Sequence, residues 1–233
     1  MSVATVFLRL HGPMQSWGTE SKLHSKSVGD FPTRSAVIGL VCAAMGIDRE
    51  NIEGLAPFHG LSYAVCEMNR GTVERDYQTL SGTVSVDGEP HKTVISPRWY
   101  RCDASYLAAF EGDVAFLDRV QQALHRPFWP LFLGRKSHIP SQPIAMSRGV
   151  WPGRIDTYFR SNRNALIRCL QQIKDANEMG GVGDETHFDN PLSFLPREFD
   201  TAFYRNHRVE VDPDVHTDYL SWDSKRKAKV TRV

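Results

Sequence analysis

Four short stretches of this sequence gather side chains suited to gripping a nucleic-acid strand. Gln15, Ser16 and Trp17 lie in a run with Gly12, Pro13 and Gly18, so one loop carries an amide, a hydroxyl and an indole. An indole can stack on a base, and an amide can bond a base edge or a phosphate. Arg34 and Ser35 follow Pro32-Thr33 at a predicted helix start. Unpaired N–H groups and the positive dipole end make such a start favourable for a phosphate. Arg98, Trp99, Tyr100 and Arg101 interleave cations with aromatics, the composition used to hold unpaired nucleotides. Gly134, Arg135, Lys136 and Ser137 form a glycine-hinged basic turn. The glycine lets backbone approach a phosphate while the two cations neutralise it.

The same residues exclude one class of chemistry. The upstream glycine of G-x-x-x-x-G-K-[ST] is missing before Lys136, so this is not the phosphate loop of a nucleotide triphosphatase. Metal-independent RNA cleavage stays open. It needs a base for the ribose 2′-hydroxyl and a cation for the developing charge. Of the nine histidines, His11, His24 and the His91-Lys92 pair are the candidates.

Composition sets the outer limits. With 233 residues, 41% hydrophobic and 24% charged, the chain can bury a sizeable core as a globular protein. No apolar run approaches the length of a membrane span, and residues 1–10 lack the pattern of a signal peptide. Cys42, Cys66, Cys102 and Cys169 are widely spaced, with no C-x-x-C pair, and read as thiols in a reducing cytoplasm with no metal site. A net charge of +1 means that any nucleic-acid site must be a local basic face.

Stepping outward, residues 3–10 predict a buried first strand that runs into the Gln15 loop. Val37, Ile38, Leu40, Val41, Ala44 and Met45 form a helical stripe between Thr33 as N-cap and Gly46 as C′ residue. Residues 61–68 predict a second strand, and 76–101 a projecting hairpin with Asp87-Gly88 at its turn. That hairpin is too polar to bury a face of its own, so it needs a partner to stabilise it. Residues 102–110 read as a third strand, Asp113 caps a helix running to His125, and residues 142–150 supply a fourth strand. This order is that of an α+β, ferredoxin-like domain, the architecture of RNA-recognition domains, with an inserted hairpin. Residues 1–150 then form the body and 151–233 an irregular C-terminal extension. Within the extension the pattern predicts a short amphipathic helix over 165–173, a glycine loop at 179–183 and a late strand over 203–211. The basic tail 225–232 reads as disordered and suited to nonspecific nucleic-acid contact.

Several of these stretches, together with Leu8-Arg9-Leu10-His11-Gly12-Pro13-Met14, Phe132-Leu133 and Leu195-Pro196-Arg197-Glu198-Phe199, resemble one family. It is the CasD-type subunit of Cascade, the type I-E CRISPR RNA-guided surveillance complex, within the RAMP superfamily. The resemblance spans about residues 3–211. It implies a ferredoxin-like body with a hairpin thumb, acting in antiviral defence as a noncatalytic CRISPR RNA-binding subunit that needs no cofactor. Such a subunit caps the 5′ handle of the guide RNA. Its thumb reaches the neighbouring backbone subunit, the large PAM-recognising subunit docks alongside, and target DNA is met indirectly. The implied RNA contacts are Gln15, Ser16, Trp17, Arg34, Ser35, Arg98, Trp99, Arg101, Gly134, Arg135, Lys136 and Ser137. The alternative is an endoribonuclease that processes repeat RNA.

Overall fold

The computed structural model describes residues 2–18, 21–22, 25–26, 28–84, 88, 90–173, 184–194 and 197–230. In chain order the first elements are β1 (Val3–His11), β2 (Met14–Gln15), β3 (Ser21–Lys22), β4 (Ser25–Lys26), α1 (Arg34–Met45) and α2 (Ala56–His59). There follow β5 (Ser62–Asn69), β6 (Thr72–Val84), β7 (Pro90–Cys102), β8 (Ser105–Asp113), α3 (Val114–His125) and β9 (Ala145–Pro152). The last are α4 (Ile155–Tyr158), β10 (Phe159–Ser161), β11 (Ile167–Ile173), β12 (Asp184–Phe194), β13 (Arg197–Val211) and α5 (Pro213–Val230).

Local chemistry accounts for the helix ends. The Thr33 hydroxyl accepts the Ala36 N–H, and Gly46 closes α1 in the left-handed region at φ +72°. A side chain there would also meet the Phe128 ring. The Asp113 carboxylate accepts the Phe116 N–H at 3.1 Å and starts α3. A cap of this kind stabilises a helix by about 1 kcal/mol.

The main sheet runs β10-β13-β11-β5-β8-β1-β9, with β12 added beside β13, and every pairing in it is antiparallel. β1 lies between β8 and the edge strand β9 and is buried on both faces. Ala4, Val6, Leu8 and Leu10 join the core under α1 and α3, while Phe7 joins the opposite core with Trp151, Tyr158 and Phe159. α5 covers that second face through Val215 and Tyr219. The buried Arg9 holds it there, its Nε and Nη2 donating to the Tyr219 and Asp218 carbonyls at 2.8 and 2.7 Å. The second sheet is built on the β6–β7 hairpin, whose pairs run from Thr72↔Cys102 to Val84↔Pro90.

Some expectations change. Residues 167–173, expected as a helix, form β11 between β5 and β13. Both faces of β11 are covered, and burial on two sides erases the alternation that marks a half-exposed strand. The tail expected to be disordered continues α5 as far as Val230. The hairpin is longer than its sequence range, because β6 begins at Thr72. Asp87 of the expected turn, the glycine loop 179–183, Leu195-Pro196 and His24 lie outside the described residues. The late strand does form, as β13. Among the described residues no helix is long and apolar enough to cross a membrane.

Candidate nucleic-acid interface

Three of the four stretches meet at the base of the hairpin. β2 pairs with the end of β7, setting Gln15 opposite Arg101. The next residue, Ser16, donates its N–H to the Leu133 carbonyl at 3.0 Å, which brings the 131–138 loop alongside. Gly134 faces Ser16 so closely that a Cβ would lie 2.0 Å from the Ser16 carbonyl oxygen, and its φ is +96°. Only glycine fits both constraints. The loop is tied within itself by Leu133 N–H to His138 O at 2.8 Å and His138 N–H to Arg135 O at 2.9 Å. Arg135 Nη2 then donates to the Trp99 carbonyl at 3.1 Å, fixing the loop to β7.

Positive charge gathers at this junction. Burial pulls the Arg135 guanidinium below its ordinary value, and the like charge of Arg98 lowers it further, against an opposing pull from Asp76. Like-charge repulsion of this kind is relieved by an anion bound nearby. Arg98 Nε is buried and has no hydrogen-bond partner among the described residues. Lys136 and Ser137 are exposed beside them. On the outer face of the hairpin, Trp99 is 36% exposed and the Arg75 guanidinium sits 5.7 Å from its ring centroid. Tyr77 flanks the same guanidinium at 6.0 Å. A planar cation on an indole is a ready stacking surface for a base.

Other expected contacts lie inside the protein, and their roles are corrected accordingly. Gln15 is 0% and Trp17 1% exposed. Gln15 donates to the Leu10 and Ala104 carbonyls and accepts from the Trp17 indole at 2.8 Å. The pair is a buried polar plug that shapes the loop, leaving Ser16 as its half-buried outer residue. Arg34 is 0% exposed. Its side chain reaches back across the core to donate to the Phe58 and Leu61 carbonyls at 2.6 and 3.4 Å. A helix start looked favourable for a phosphate, but the Thr33 cap serves its N–H groups and the guanidinium serves the turn after α2. Ser35 stays half-buried, 3.3 Å from the Thr33 hydroxyl. Arg101 is likewise enclosed. It donates to Gly29 O at 3.0 Å and Arg70 O at 3.3 Å and pairs with Asp30. Asp30 also pairs with Arg168, which continues to Glu67. This network anchors the hairpin to the main sheet.

Two neighbours were not singled out in the sequence. His138 is 4% exposed, with its ring 6.0 Å from Tyr100 and Nδ1 lacking a hydrogen-bond partner. Burial and the Arg135 charge push it below its ordinary value, against a raising backbone hydrogen bond at Leu133. Arg75 could have been found from the hairpin register, which sets it directly opposite Trp99. Of the histidines weighed for cleavage, His11 is bonded to the Ser141 hydroxyl at 2.7 Å. Among the described residues no group of histidines, cysteines and carboxylates could hold a metal ion.

With this geometry in view, the likeness to known proteins is specific. The family model described as "CRISPR-associated protein (Cas_Cas5)" matches residues 5–233. The chain is 33% identical over 212 residues to the CRISPR system Cascade subunit CasD of Escherichia coli (strain K12), covering 83% of this chain and 91% of that protein. A chain of a CRISPR RNA-guided surveillance complex superposes with a TM-score of 0.69 at 23% identity, over 94% of this chain and 98% of that one, a likeness of fold. A Cas protein crystal structure gives 0.66 at 26% identity, over 89% and 95%.

Proposed function

Because the chain belongs to the CRISPR-associated Cas5 family, we propose that it is a noncatalytic, RNA-binding subunit of a CRISPR RNA-guided surveillance complex of the Cascade kind, acting in antiviral defence. It caps the 5′ handle of the guide RNA. Its body, over residues 1–150, is read as ferredoxin-like, a reading supported by the β9-β1-β8-β5 strand order and by two helices on one face. Residues 151–233 form the C-terminal extension. The hairpin is the thumb that reaches the neighbouring backbone subunit. Val73, Tyr77, Leu80, Val84 and Ile95 are exposed along it, more apolar surface than a solvated ribbon retains. The large PAM-recognising subunit docks alongside, target DNA is met indirectly, and the assembly works in the cytoplasm.

The observation that carries the RNA reading is the gathering of cations at the thumb base, where Arg98 keeps a buried Nε without a hydrogen-bond partner among the described residues and Arg135, Lys136 and Ser137 stand beside it on the 131–138 loop. There phosphates of the handle meet Arg98, Arg135, Lys136, Ser137 and the Gly134 backbone, with Ser16 as a flanking hydroxyl, while Ser35 at the start of α1 is a separate contact. A base stacks on Trp99, while Gln15, Trp17, Arg34 and Arg101 position these groups from beneath.

The test is the salt dependence of handle-RNA binding, read by fluorescence anisotropy. Single-stranded contacts contribute a slope of about 0.7 per phosphate neutralised. R135A/K136A should weaken binding and flatten the slope by about 1.4. Wild-type affinity and slope in that variant would show that the two cations are ordinary surface charges. Incubating the protein with repeat RNA in EDTA separates binding from cleavage. A single defined cut, lost on one His→Ala change, would replace the scaffold by an endoribonuclease.

A further inference from the structure

In the core beneath α5, the seam where β11 joins β5 holds an arrangement that the proposed function does not use. Cys66 on β5 lies directly opposite Cys169 on β11, and on its other side Cys169 lies opposite His207 on β13. Thiol, thiol and imidazole therefore form one row across three strands. Both cysteines are fully buried in the core beneath α5. Directly opposed residues of an antiparallel pair keep Cβ atoms about 4.5–5.5 Å apart. A disulfide needs about 3.5–4.5 Å, so a small approach of the two strands is enough.

The two sulfurs differ in character. Burial pushes the Cys66 thiol up, and its hydrogen bond and charge interaction with Cys169 push it further. Burial alone would raise Cys169 as well. Hydrogen bonds from Cys66 and His207, the His207 charge and a backbone bond at Val65 outweigh it and bring Cys169 to about 7. The remaining cysteines have no such setting. Cys42 lies in the opposite core, pushed up to about 12 by burial, and Cys102 sits at the hairpin base.

We propose that Cys66 and Cys169 form a peroxide-oxidisable dithiol that closes to a disulfide across the β5–β11 seam. The Cys169 thiolate attacks hydrogen peroxide. An S–O bond forms, the O–O bond breaks, and the departing hydroxide takes up a proton to become water. Cys66 sulfur then attacks the Cys169 sulfenic acid; its thiol proton leaves with the hydroxyl as a second water. Two thiols lose two electrons to one peroxide, giving one disulfide and two waters. The imidazole of His207 is a positioning group that lowers the proton affinity of the Cys169 sulfur. The bond staples the C-terminal strands to the central sheet. Because both sulfurs are enclosed, oxidation waits on local opening and is slow.

The test exposes the intact protein to hydrogen peroxide, removes the oxidant with catalase, and alkylates under denaturing conditions for mass spectrometry. The expected product has two of four cysteines protected until reduction and one peptide linking 66 to 169. Its thermal midpoint rises by about 5–10 °C, as expected for a bond closing a long loop. C66S should remove the linked peptide and leave a Cys169 sulfenic acid that dimedone traps. H207Q should slow closure several-fold at pH 7 and leave it unchanged at pH 9. Four alkylatable thiols after oxidation, or linkage through Cys42 or Cys102, would overturn the proposal. An H207Q rate equal to wild type at pH 7 would overturn the positioning role of the imidazole.

Discussion

At the scale of single residues, the polar groups divide into those that build the interface and those left to meet a ligand. Arg34 belongs to the first kind. Truncating it removes the guanidinium that donates to the Leu61 and Phe58 carbonyls and empties a fully buried volume, although the Phe58 carbonyl keeps the Leu61 N–H at 3.1 Å. Arg34→Ala should therefore cost about 3 kcal/mol in urea denaturation. The salt slope of RNA binding by the folded fraction should stay at the wild-type value. A flattened slope would return Arg34 to the phosphate contacts. His138 gives a pH signature. It is held below its ordinary value, so the fold favours the neutral ring. Its contribution is complete above the unfolded value of about 6.5 and is lost as pH falls through the folded value. Between pH 7.5 and 5.5 the wild-type thermal midpoint should fall more than that of His138→Gln. Equal falls would mean that His138 carries none of the acid sensitivity.

At the scale of elements, legibility followed how local the determining interactions are. The ends of α1 and α3 were readable because Thr33, Gly46 and Asp113 act within their own turn. β1, β5 and β13 were readable from apolar or β-branched runs. β11 was not. Cys169 and Leu170 are consecutive yet join opposite cores, so its apolar residues imitate a helical stripe. What decided it was pairing with β5 and β13, some forty to a hundred residues away in the chain. The candidate site was half legible. Residue types singled out the hairpin base and the basic turn, which the fold brings together, but burial of Gln15, Trp17, Arg34 and Arg101 depends on tertiary packing that no short motif encodes. The hairpin provides the test at this scale. Excising its tip around Gly88 should leave far-UV circular dichroism and thermal midpoint near wild type while reducing co-purification of the neighbouring subunits. Global unfolding would instead make the distal hairpin part of the core, despite the exposure of Leu80 and Val84.

At the scale of the molecule, charge and topology fit a part of a larger assembly better than a free-standing nucleic-acid binder. A net charge of +1 gives little long-range attraction, so affinity for RNA must come from the local cluster at the thumb base. The main sheet supplies the rigid platform, and the Arg101–Asp30–Arg168–Glu67 network fixes the thumb to it. The basic end of α5, carrying Lys225, Arg226, Lys227 and Lys229, continues beyond the Arg9 anchor in the same helix. The central claim is that the handle lies against the thumb base and the 131–138 loop. Photo-crosslinking of the purified complex, carrying 4-thiouridine through the 5′ handle, followed by peptide mapping, tests it most directly. The account predicts that crosslinks to this chain fall on the peptides containing Trp99 and residues 134–138. Crosslinks confined to the outer surface of α3 or to the β12–β13 edge would contradict it.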